Sequence, residues 1–149
     1  FYKDVTTYIN CNKPIKPLLT SNIKKLSSIA LPIFILIYFL SPIIFPFIFG
    51  EEWKESGNIA QYLGCIFLIQ FVVSTLSQVL LIKNFIKRGS LWKYLYFSSS
   101  IILYTFAYFY QVEFYTFLTF LVIHEYILYL IYFYLIFISV QENDQKLID

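Results

Sequence analysis

Four long apolar runs follow one another between Leu26 and Val140, separated only by short polar or basic connections. Each holds about twenty residues, the length at which a helix crosses a hydrocarbon layer roughly 30 Å thick. A soluble domain has a single core to fill, and four such runs would overfill it. Helices satisfy every backbone donor and acceptor within the segment, so the expected fold is an all-α membrane protein. Composition points the same way: 59% of residues are hydrophobic and only 13% are charged. Globular domains carry roughly twice that charge, so water is not the main solvent of this chain. The net charge of +2 is small, and the basic residues gather beside the apolar runs instead of forming a stripe, which argues against a nucleic-acid partner.

Residues 1–25 read as a polar, basic connector, because Pro14 and Pro17 disfavour a continuous helix there. Expected membrane spans cover residues 26–49, 57–82, 94–110 and 114–140, and a polar tail covers 141–149. Pro42 and Pro46 fall in the last turns of the first span, where each removes a donor and bends the axis, and Gly50 then allows a turn. Gln111, Val112 and Glu113 read as a tight turn between the last two spans. Lys and Arg are retained on the cytoplasmic side. The connector has Lys3, Lys13, Lys16, Lys24 and Lys25, the 83–93 loop has Lys83, Lys87, Arg88 and Lys93, and the tail has Lys146, whereas the other side has only Lys54 among Glu51, Glu52 and Glu55. Both ends are therefore expected in the cytoplasm. Trp53 and Trp92 sit just outside span ends and read as interface anchors. The chain starts at Phe1 and contains no methionine, so it reads as a piece of a longer protein. Cys11 and Cys65 are too far apart in character and spacing to suggest a disulfide framework or metal knuckle.

His124 and Glu125 stand side by side in the last span. At about 1.5 Å per residue they lie roughly 15 Å deep, close to the bilayer midplane. Ionisable groups at that depth are expensive, so one reading is a site coupled to H+ or Na+ and the other is an inter-helix hydrogen bond that fixes packing. A zinc face would need a second histidine four residues after His124. Leu128 occupies that place, so no metal site is expected. On the second span, Gln70, Ser74, Ser77 and Gln78 fall within about a 100° arc and form a polar stripe that can line a cavity or glue helices together. Gly57, Gly64 and Thr75 make a small-residue strip suited to close helix contact, and Ser98, Ser99 and Ser100 read as polar packing. No Gly-rich phosphate loop and no nucleophile–base set appears, so neither catalysis nor a cofactor is expected.

The strings Leu31-Pro32, Ser41-Pro42, Phe49-Gly50-Glu51-Glu52-Trp53-Lys54-Glu55-Ser56-Gly57 and Ile59-Ala60-Gln61-Tyr62-Leu63 together resemble the C-terminal part of bacterial polysaccharide flippases. These are the O-antigen and capsule exporters of the multidrug/oligosaccharidyl-lipid/polysaccharide superfamily, the Wzx type. The resemblance spans most of residues 15–110, is specific at the loop and diffuse in the spans. It implies that this chain supplies four helices, the C-terminal part of a two-lobed bundle of roughly twelve around a central cavity, in the bacterial inner membrane. It further implies alternating-access transfer of an undecaprenyl-pyrophosphate-linked oligosaccharide, with the missing N-terminal portion and membrane lipids as partners. Phe49, Gly50 and Trp53 would be structural residues of the outer rim, and the cationic phosphate contacts would lie in the missing portion. The alternatives are a drug exporter of the same superfamily, a membrane-embedded glycan-assembly enzyme, or a non-catalytic subunit.

Overall fold

In the computed structural model, which describes residues 1–82 and 85–147, every regular element is helical. Lys83 of the basic loop and the last residues of the expected tail lie outside the described residues. The elements are α1 (Tyr2–Asn10), α2 (Lys16–Phe49), α3 (Lys54–Leu76), α4 (Ile86–Phe109) and α5 (Phe114–Gln145), with short 3-10 turns at Glu51–Trp53 and Ser77–Leu81. Among the described residues, three segments are long and apolar enough to cross a membrane: Lys16–Phe49, Glu51–Leu81 and Phe114–Gln145. The expected third span, 94–110, coincides with the C-terminal two thirds of α4 and its C-cap Tyr110. That helix is 24 residues long, yet Lys87, Arg88, Lys93 and its many tyrosines and serines dilute its apolar character.

The first 25 residues are more ordered than a connector. Pro17 lies in the first turn of α2, where its missing N–H has no helical partner to lose, so the helix starts ten residues before Leu26. Pro32, Pro42 and Pro46 are carried inside the same helix, a pattern tolerated in membrane spans where neighbouring groups re-satisfy the freed carbonyls. The far end of the chain holds this start in place. Asp144 accepts hydrogen bonds from the backbone N–H groups of Ile15 at 2.7 Å and Lys16 at 2.8 Å, supplying the N-terminal cap that α2 lacks in its own sequence. Around it, Val5, Ile15, Leu19, Leu76, Val79, Leu80, Ile136 and Val140 are fully buried together. The tightest core of the molecule therefore sits at the basic end, outside the middle of the spans.

The long helices are arranged in the order α2, α3, α5, α4. Between α2 and α3 the backbones approach closely, because a Cβ on Gly57 would meet Ser41 O at 2.6 Å and one on Gly64 would meet Ile37 Cγ2 at 2.9 Å. Small residues are what permit this in lipid, where van der Waals packing replaces the hydrophobic drive between helices. Tyr126 ties α5 to α3 by donating to Cys65 O at 2.8 Å. The α4 and α5 helices run antiparallel across the turn that follows Tyr110, where Gln111 takes the left-handed conformation with φ +46°. Their register is set at several heights. Arg88 Nη2 donates to both carboxylate oxygens of Glu142, at 2.7 and 2.8 Å, and Nη1 donates to Ser139 Oγ at 3.0 Å. Higher up, the Trp92 ring stacks on Tyr132 with centroids 3.8 Å apart. Trp92 is only 8% exposed, which corrects its reading as an interface anchor: its indole N–H donates to Leu128 O at 2.9 Å.

Candidate functional site

The pairing of α4 with α5 determines what surrounds the two ionisable residues. Four residues beyond Trp92, Tyr96 occupies the next inward position of α4 and donates to Glu125 Oε1 at 3.0 Å. Ser99, three residues further, brings its hydroxyl to 3.0 Å from His124 Nε2. Glu125 is 6% exposed, and His124 Nδ1 lies 3.6 Å from Glu125 Oε1. Fully buried, that nitrogen has no hydrogen-bond partner among the described residues. A buried nitrogen without a partner forfeits a hydrogen bond worth about 1–3 kcal/mol in desolvation. The neighbouring groove, about 250 Å³ in volume, is lined on its polar side by Gln70 of α3, Tyr96 and Tyr104 of α4, and Glu125.

The structure thus brings His124, Glu125 and Gln70 to one place and adds Tyr96 and Ser99. The serine was legible only as polar packing. The signal for both lies in the spacing Trp92, Tyr96, Ser99, which puts three hydrogen-bonding side chains on one stripe of α4.

The polar stripe of the second span divides. Gln70 and Ser74 line an apolar groove of about 600 Å³ between α2 and α3, together with Ala30, Phe34, Ile37 and Phe71. Ser74 turns its hydroxyl back onto Gln70 O, and Ser77 donates to Ser74 O at 2.6 Å. Such back-bonding satisfies the hydroxyls within the helix instead of offering them to a cavity. Beyond Leu76 the chain tightens into the 3-10 turn Ser77–Leu81, so Ser77 and Gln78 leave the 100° periodicity that joined them to Gln70. At the opposite end, Gly50 has φ +102° and ψ +164°, and its N–H donates to Pro46 O at 2.9 Å. Phe49 and Trp53 flank it with ring centroids 5.4 Å apart, and Trp53 is 48% exposed.

No group of His, Cys, Asp and Glu among the described residues is placed to hold a metal ion. Comparison with protein-family models, with curated proteins and with solved structures gives no match to this chain.

Proposed function

We propose that the chain is the C-terminal part of a bacterial inner-membrane flippase. In this reading it helps to pass an undecaprenyl-pyrophosphate-linked oligosaccharide to the outer leaflet by alternating access, for O-antigen or capsule assembly. The observation that carries the reading is the loop string Phe49 to Gly57 with its flanking Ser41-Pro42 and Gln61. Three features support it. Gly57 of that string is the point where α3 presses against Ser41 and Pro42 of α2, so the string's parts meet in space as well as in sequence. The α2 helix leaves Ile29, Ile33, Phe39, Ile43 and Phe47 exposed, a face wide enough for the further helices of a two-lobed bundle of roughly twelve. The α4 helix runs beside α5 from Arg88 against Glu142 to Tyr104 against Phe117, which supports reading it as a fourth span. In this reading Gln70 contributes its amide to one wall of the cavity, and both ends of the chain are cytoplasmic.

Deleting the gene in its host tests this. The expected outcome is loss of surface glycan with lipid-linked repeat units accumulating on the cytoplasmic leaflet. Intact glycan with new sensitivity to toxic cations would point to drug export, and lost glycan without accumulated units would point to an assembly enzyme; either result overturns the reading.

A further inference from the structure

Beside Glu125, His124 Nδ1 is buried without a hydrogen-bond partner among the described residues. The other ring nitrogen, Nε2, lies 3.0 Å from Ser99 Oγ, a hydroxyl that also reaches Tyr96 O at 3.1 Å, so the tautomer sets which partner receives the hydroxyl hydrogen. In the tautomer with hydrogen on Nε2, Ser99 accepts from the ring and Nδ1 presents a bare lone pair. It faces Glu125 Oε1 at 3.6 Å, an oxygen that already accepts from Tyr96. In that tautomer an ionised Glu125 and Nδ1 are two acceptors facing each other. Among the described residues the groups that face them add no cation: the groove beside Glu125 offers Tyr96 and Tyr104 from α4 and the neutral amide of Gln70 from α3, with no Lys or Arg in its lining. On α5 itself, the other titratable neighbour is Tyr129.

We propose that His124 and Glu125, positioned by Ser99 and Tyr96, form a binding site for a single exchangeable proton within the membrane. With the proton present, the confrontation becomes one hydrogen bond. Either the Glu125 O–H donates to Nδ1, or the Glu125 O–H bond breaks as an Nδ1–H bond forms, giving carboxylate and imidazolium. The total charge of the pair is the same in both arrangements, so the proton moves between them without placing new net charge in hydrocarbon. Loss of the proton leaves a carboxylate held only by Tyr96, beside the groove that Gln70 also lines. Use of this site to drive transport rests on the flippase reading, but the site itself does not.

The test is infrared difference spectroscopy of the full-length protein in liposomes between low and high pH. A protonated-carboxyl carbonyl band should disappear as pH rises, accompanied by imidazole ring bands. Glu125→Gln should remove the component of the carbonyl band due to this buried carboxyl, leaving that of exposed carboxyls such as Glu51 and Glu52, and Tyr96→Phe should shift that component by removing its donor. His124→Gln should remove the ring bands and move the midpoint. A carboxyl difference spectrum unchanged by Glu125→Gln, a Glu125 component unmoved by Tyr96→Phe, or spectra that respond to sodium and not to pH would overturn the proposal. The readout needs neither glycan nor transport, so its failure is separable from failure of the export experiment.

Discussion

Gly50 and Gly57 stand at the two ends of the connection between α2 and α3 and are required for different reasons. At Gly50 the space around a Cβ is open, but φ +102° with ψ +164° is a conformation that only glycine adopts readily. At Gly57 the backbone is helical and the obstruction is steric, since the Cβ would strike the Ser41 carbonyl and Pro42 Cα. Gly50→Ala should therefore destabilise by about 1–3 kcal/mol through backbone strain. Gly57→Val should cost a similar amount, about 1–3 kcal/mol, through overpacking. Thermal unfolding in detergent checks both, and wild-type stability in either variant would contradict the assigned constraint. The residues around Glu125 teach a related lesson. Burial of His124 and Glu125 followed from their place in a long apolar run, but Tyr96 as partner did not, because one-dimensional spacing does not say which face of α4 meets α5.

The helices differ in how openly they announce themselves. The ends of α2 at Phe49, of α4 at Phe109 and the start of α5 at Phe114 follow from Gly50 and from the short polar turn at Gln111 to Glu113. The start of α2 and the end of α5 were not legible, because the cap that stabilises the first comes from Asp144 in the second, across the whole length of the chain. Trp92 was misplaced for the same kind of reason: a position just outside an apolar run suggests a headgroup anchor, whereas pairing with α5 turns the ring inward onto Tyr132. That pairing is testable through Arg88. Exposed ion pairs contribute little, but here the guanidinium is also fixed by its second nitrogen on Ser139, which carries orientation as well as charge. Arg88→Glu should lower the unfolding temperature by placing two carboxylates together, and adding Glu142→Arg should restore most of the loss. No recovery in the double variant would show that the two residues do not pair.

At the scale of the whole molecule, Lys16, Lys87 and Arg88 lie at one end with Glu142 and Asp144, while Glu51, Glu52, Lys54 and Glu55 lie at the other. An orientation with the basic end cytoplasmic predicts a labelling pattern for single cysteines placed in a protein lacking Cys11 and Cys65. A thiol reagent that cannot cross membranes should label positions 56 and 111 from outside and spare position 90. Labelling at 90 instead of 56 would reverse the orientation, and failure at 111 would show that α4 does not cross. The sequence by itself determined the solvent, the helical class and which end is basic, because these depend on sums over many residues that no particular contact can reverse. Only the tertiary structure decided that the firmest core lies at the basic end, that α4 belongs beside α5, and that Tyr96 and Ser99 of α4 meet Glu125 and His124 of α5. Those outcomes depend on which side chains meet across helices, and that is a property of register and rotation that hydropathy does not encode.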